Sequence, residues 1–218
     1  MRKKTVGIVV GVLVLALAGT VYGLRFSDDT TIDQPITKIT LHGGSGGVAI
    51  RTEPGPVRIR RTVTYLGDKP GATATVRGDV LTLGGCGGGV VFCSIAYAVI
   101  VPPGTALSGD IGSGGLAIDG LAEVDVRSGS GDVLIANGTG DVRVDNGPGD
   151  VLISLASPQN VTVRTGSGSA SLEVPVGSYR LDGKSDSGNR KVGITEDPKA
   201  VHRLSVTTGS GDAKIQTR

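Results

Sequence analysis

The feature that most restricts the fold of this chain is a short motif recurring between Arg127 and Ser154, in RSGSGDVLIANGTGDVRVDNGPGDVLIS. The pairs Gly131-Asp132, Gly140-Asp141 and Gly149-Asp150 stand nine residues apart. Each introduces a brief alternation of apolar residues: Val133 and Ile135, Val142 and Val144, Val151 and Ile153. A period of two is that of a strand with one buried face. The glycines between runs allow tight turns and positive φ. A strand this short cannot bury its apolar face alone, but stacked copies can, which is the logic of a repeat protein.

Composition supports a narrow core. Glycine supplies 37 of the 218 residues, far above the average of about 7%. No G-X-Y register is present, which excludes collagen. Two Phe, four Tyr and no Trp are few for a conventional sandwich core and suit one lined by Val, Ile, Leu and Ala. The formal charge of +2 becomes −1 once Arg2, Lys3 and Lys4 are set aside. With no basic block or nucleic-acid motif in the body, binding of nucleic acid is not expected.

Residues 1–4 form a basic tail, and Thr5–Leu24 is an uncharged apolar run of 20 residues. That length suffices for one crossing of a bilayer core about 30 Å thick. The preceding charges keep this end in the cytoplasm and place the body outside. The expectation is a single-pass transmembrane helix in the cell membrane. The alternative is a signal peptide cleaved near Ala18, where Ala16-Leu17-Ala18 has small-x-small form, giving a secreted body. The apolar run continues through Val21 and Leu24, which favours retention. Leu17-Ala18-Gly19-Thr20 resembles a lipoprotein box, but Thr20 stands where the lipid-bearing cysteine belongs.

Residues 25–35, with Asp28, Asp29 and Asp33, read as a juxtamembrane linker, and residues 36–218 as one extracellular β-repeat domain. Strands are expected at Ile36–Leu41, Val48–Ile50 and Val57–Tyr65. In the last of these, Arg58, Arg60 and Arg61 would solvate the outer face. Ala74–Arg77 and Val80–Leu83 flank Gly78-Asp79 as a hairpin. The region around GGCGGGVVFC is the least regular. From Ala106 the rhythm continues to Gly211-Asp212 and Ile215. Two strands and two turns make a rung of roughly 18 to 20 residues, with loops near Ser157 and Asp197-Pro198 on the rim. The fold class is all-β: a glycine-rich β-solenoid, or β-helix-like, repeat domain. A β-sandwich would share the turn spacing; the near-copying of SGSGD, GTGD and GPGD favours stacking.

Ser128–Asp132, Thr139–Asp141, Gly166–Ser169 and Thr208–Asp212 resemble the repeated turns of the bacterial family labelled "putative adhesin", a domain of unknown function. The resemblance spans roughly residues 39 to 216. It implies a β-helix-like fold, export and a surface location.

The residues offer little chemistry. The adjacent Gly-Asp pairs differ from the calcium nonapeptide GGxGxDxUx, which has a residue between glycine and aspartate. The aspartates are therefore expected to accept backbone N–H bonds at turns, with no metal and no cofactor. His42 and His202 are the only histidines. Ser45 or Ser205 beside one of them lacks a nucleophile elbow. Asp132, Asp141 and Asp150 look like equivalent turn positions rather than a hydrolase's carboxylate pair. Cys86 and Cys93 are the only cysteines and lie in the exported part. A disulfide is favoured there over two buried thiols. The expected function is a non-catalytic surface module for adhesion or envelope-ligand binding, its partner a surface protein or cell-wall glycan. The alternatives are the ectodomain of an envelope-stress or signalling system and a hydrolase.

Overall fold

The computed structural model describes residues 23–87 and 90–218. The basic tail and the apolar span as far as Tyr22 lie outside the described residues. Among the described residues no helix is long and apolar enough to cross a membrane.

The chain is all-β. β1 (Leu24–Ile32) precedes a first pair, β2 (Lys38–His42) and β3 (Val48–Thr52). Next come β4 (Val57–Gly67), β5 (Ala74–Arg77), β6 (Val80–Gly84) and β7 (Val90–Val101). A regular series follows: β8 (Ala106–Ser113), β9 (Leu116–Asp119), β10 (Glu123–Ser130), β11 (Val133–Gly138), β12 (Val142–Pro148), β13 (Val151–Leu155), β14 (Val161–Ser167) and β15 (Ala170–Val174). After β16 (Ser178–Asp182), β17 (Ser185–Ser187), β18 (Arg190–Gly193) and β19 (Thr195–Glu196), the chain ends in β20 (Arg203–Ser210) and β21 (Ala213–Thr217).

These strands form two sheets. Sheet A runs β1-β4-β7-β3-β9-β11-β13-β15-β21-β18, and sheet B runs β19-β16-β20-β14-β12-β10-β8-β2-β6-β5, with β17 also on β20. In the regular series the chain alternates between sheets, and each strand lies parallel to its counterpart one rung away. Leu107 pairs with Val124, Val124 with Val142 and Val142 with Val161, close to the rung length expected from the turns. Parallel stacking of this kind is consistent with a solenoid; an antiparallel sandwich would not produce it. Antiparallel pairing is confined to β1–β4–β7 and the β5–β6 hairpin. Val133, Ile135, Val142, Val144, Val151 and Ile153 are all buried between the sheets.

Three expectations are corrected. The segment 25–35 is not wholly a linker, because Leu24–Ile32 is a strand paired with β4. Its acidic residues sit opposite the arginines of β4: Asp28 faces Arg61 and Asp29 faces Arg60. The cross-strand pairing supplies partners for charges that, in isolation, read as solvated linker. For the same reason Arg61 does not solvate the outer face. It occupies an inward register between Ile59 and Val63, donates to Asp28, and keeps a side chain only 11% exposed. The region beginning at GGCGGG is also more regular than it reads, since Val90–Val101 is one long strand.

The order of strands in the stack departs from their order in the chain. The last two strands do not cap the stack. β20 lies between β14 and β16, and β21 between β15 and β18. The chain skips a rung after β15, and its own C-terminus fills the gap. The other end does the same in reverse: β2 lies between β6 and β8, and β3 between β7 and β9. Segments from both ends of the described chain are therefore interior rungs.

Candidate functional site

The Gly-Asp turns are the residues to which the sequence points. They fall on two opposite edges. Gly131-Asp132, Gly149-Asp150 and Gly211-Asp212 lie where the chain passes from sheet B to sheet A; Gly140-Asp141 lies where it returns from A to B. The nine-residue spacing is thus half a rung, and Asp141 is not equivalent to Asp132 and Asp150. On the B-to-A edge each aspartate reaches along the stack. Asp132 Oδ1 accepts the Asp150 N–H at 2.9 Å, Asp150 Oδ1 the Ser169 N–H at 2.8 Å, and Asp212 Oδ1 the Asn189 N–H at 2.8 Å. On the other edge Asp141 accepts from the N–H and the side-chain amide of Asn160. The carboxylates therefore join successive rungs rather than closing their own turns. Among the described residues no group of three or more His, Cys, Asp or Glu is placed to hold a metal ion.

The glycines have a steric role. Gly131, Gly149, Gly168 and Gly211 all have positive φ. A Cβ on any of them would come within 2.2 to 2.3 Å of the carbonyl oxygen of the glycine on the adjacent rung. A second file, through Gly112, Gly129 and Gly147, shows the same close approach. Gly140 is excluded from bearing a side chain by the Ala122 carbonyl. Just before these turns Ser128, Asn146, Thr165 and Thr208 form an in-register buried polar ladder. Thr208 Oγ1 donates to the Gly211 carbonyl at 2.9 Å, and Asn146 Nδ2 to the Gly149 carbonyl at 2.9 Å. These contacts satisfy backbone groups at the bend. The sequence reading missed the ladder because Ser, Asn and Thr beside glycine look like solvated turn residues.

The serine and histidine candidates do not come together as pairs. Ser45 Oγ donates to the Cys93 carbonyl at 2.7 Å, while His42 lies in register with Asp110. No hydrogen bond joins Ser205 to His202 among the described residues. Cys86 and Cys93 form a disulfide. It closes the link from β6 to β7.

The outer faces of the two sheets differ. On sheet B the outward residue between two buried ones is polar: Thr82, Thr40, Ser108, Asp125, Arg143, Thr162 and Ser205 follow one another across the strands. Asp125 approaches Arg143 at 3.9 Å, and Asp110 approaches Arg127 at 3.8 Å. These pairs are exposed and add little stability. On sheet A the corresponding row runs Ala98, Ala49, Ala117, Leu134, Leu152, Ser171 and Lys214. Its middle is apolar, with Leu134 43% and Leu152 42% exposed. Small residues beside a leucine leave a shallow open trough of about 440 Å³, lined by Ala49, Ala96, Ala117, Gly47, Gly115 and Leu134.

The trough has a braced floor. Tyr97 contributes to its lining, and its hydroxyl donates to the Gly84 carbonyl at 2.7 Å and shares a hydrogen bond with Thr73. Arg61 ties Thr73 and the Gly71 carbonyl to Asp28. Burial pushes the Tyr97 phenol above its ordinary range. The trough had a signal in the sequence: L-A-I at 116–118 and V-L-I at 133–135 and 151–153 place an apolar residue at the outward position.

Fold and surface together define a two-sheet β-repeat module with one polar and one partly apolar face. A family profile described as Toastrack DUF4097 matches residues 104–218, more than half of the chain, and the chain belongs to that family. The crystal structure of a "putative cell adhesion protein" from Clostridium sporogenes ATCC 15579 shares the fold. Its TM-score is 0.51 at 14% identity, covering 89% of this chain and 100% of that one. A "putative adhesin" from Parabacteroides merdae ATCC 43184 aligns with a TM-score of 0.43 and 11% identity, over 89% of this chain and 96% of that one. No curated protein matches the sequence.

Proposed function

We propose that this chain is an exported, single-pass anchored, non-catalytic surface module that binds a surface protein or a cell-wall glycan. The observation that carries the reading is the trough on sheet A. An apolar strip on an open sheet face, braced beneath by hydrogen bonds, suits the flat apolar face of a sugar ring or a row of side chains. The neighbouring strands keep it preformed, so little ordering opposes binding. The names of the structural relatives from Clostridium sporogenes and Parabacteroides merdae agree with a role at the cell surface.

Crosslinking of the anchored protein in its own cells, followed by mass spectrometry, tests this. Capture of wall polymer or a surface protein by the native chain, lost in Ala117→Arg, supports it. Capture of a membrane regulator alone, unaffected by Ala117→Arg, would replace it with a signalling ectodomain.

A further inference from the structure

The first strand leaves no slack between the body and the apolar segment before it. Leu24 is already paired with Tyr65, and the Tyr65 carbonyl bounds the space beside Gly23. The uncharged run ahead of the sheet is therefore Thr5–Tyr22. As a helix it would reach about 27 Å at 1.5 Å per residue, against a hydrocarbon core of about 30 Å. On the anchored reading, a run of that length leaves no residues for a linker, so the chain would enter the edge of sheet A at the membrane surface.

The corner so delivered has a distinct composition. Antiparallel pairing brings together the start of β1, the end of β4 and the start of β7. Leu24 lies opposite Tyr65, and Leu66 opposite Phe92. Tyr65 faces the core, so Leu24 stands on the inner side of the sheet and Leu66 and Phe92 on the outer side. Leu24 is 60% and Phe92 53% exposed. Beside them lie two cations. Arg25 is exposed, and the Lys69 ammonium sits 4.5 Å from the centroid of the Phe26 ring. Asp68 is the acid in the same turn. The disulfide half Cys93 adjoins Phe92 and steadies this end of β7. Large apolar side chains flanked by long cationic ones are the composition of a contact with lipid headgroups.

We propose that this corner, formed by Leu24, Leu66 and Phe92 with Arg25 and Lys69, rests in the headgroup layer of the membrane that holds the anchor. The inference rests on the anchored reading above. It orients the module. The B-to-A turns lie on the membrane side, and the opposite turns, at Gly55 and Gly104, stand away by the length of β7. Twelve residues of strand span about 40 Å. Both sheet faces, the trough included, are then presented side-on to the space above the membrane.

The test uses the full-length chain in phosphatidylcholine–phosphatidylglycerol nanodiscs, with and without a lipid carrying a nitroxide on its headgroup. Intact mass is measured on the same sample. The expected result is an intact chain whose Leu24 and Leu66 methyl signals broaden severalfold more than the amides of Gly55 and Gly104. Phe92→Glu, at an exposed position, should reduce that broadening while leaving the chain folded and inserted. An intact, inserted chain with no broadening at Leu24 and Leu66, or with broadening centred on Gly55 and Gly104, overturns the contact and leaves the anchor standing. A chain beginning near Gly19 that fails to insert removes the anchor, and the contact with it.

Discussion

Gly149 lies directly along the stack from Gly131, so close that a Cβ on Gly149 would come within 2.3 Å of the Gly131 carbonyl oxygen. Both residues also have positive φ. The repeated glycine thus answers to two demands at once, one of conformation and one of space. Gly149→Ala should lower unfolding free energy by at least about 2 kcal/mol, since both backbone strain and a clash with backbone are introduced. Gly71 has neither constraint, with nothing near its missing Cβ and no positive φ. Gly71→Ala should remain within about 0.5 kcal/mol of the parent. Urea unfolding of the two variants checks the contrast, and equal losses would remove the steric account.

The core between the sheets is built from side chains such as Ile153, which is fully buried. Ile153→Ala should cost about 2 to 5 kcal/mol, depending on how far the cavity collapses. Leu152, its exposed neighbour, should tolerate Leu152→Thr with little change. Chemical denaturation that found the two substitutions equally costly would contradict the assignment of faces.

Asp150 links rungs in both directions: its N–H donates to Asp132, and its carboxylate accepts from Ser169. Asp150→Ala should cost about 1 to 3 kcal/mol through loss of a charge-assisted hydrogen bond. Calcium should leave the melting temperature of the parent almost unchanged, because one oxygen of each such carboxylate is already engaged by backbone. A large calcium-dependent rise in calorimetry would reverse that reading.

Burial holds the Tyr97 phenol above its ordinary range, and burial does the same to Tyr179. The unfolded chain releases these protons near pH 10, about the ordinary tyrosine value, and the folded chain does so only at higher pH. Their contribution to stability is complete below pH 10 and is lost as pH rises through the folded values. Tyr97→Phe should make the fall in stability across that alkaline window shallower than in the parent, with Tyr179 supplying what slope remains. An unchanged slope in denaturant titrations between pH 9 and 11 would count against the buried-phenol account.

The Cys86–Cys93 bridge closes a short link at the start of β7. Its removal in Cys86→Ser/Cys93→Ser should cost roughly 2 kcal/mol, on the loop-closure view of cross-links. Peptide mapping without reductant should recover the two cysteines as one linked species; free thiols in exported protein would refute the pairing.

Much of this structure is written locally. Alternation from Val133 to Ile153 set the strand periodicity and the buried face, because neighbouring side chains on a strand must point to opposite sides. In the middle of the stack the triplets even separate the sheets, V-D-V, V-R-V and V-T-V lying in sheet B and L-A-I and V-L-I in sheet A, but the distinction fails at Ala170-Ser171-Leu172 and Ala213-Lys214-Ile215 of sheet A. The hairpin at Gly78-Asp79 was equally clear, since its turn is closed by adjacent residues.

Other features depended on partners distant in the chain, and here only the tertiary structure decided. Asp28 and Asp29 became strand residues because Arg61 and Arg60 stand opposite them, a pairing that neither segment announces alone. Asp132 and Asp141 share a motif but fall on opposite edges, because half a rung carries the chain across the core. The placement of β20 and β21 as an interior rung follows from stacking itself. Each rung exposes backbone and apolar surface on both sides, and a gap left at β15 is filled by whichever segment can pair with both neighbours. The trough on sheet A arises in the same way, from Ala49, Ala96 and Ala117 meeting across strands that are far apart in sequence.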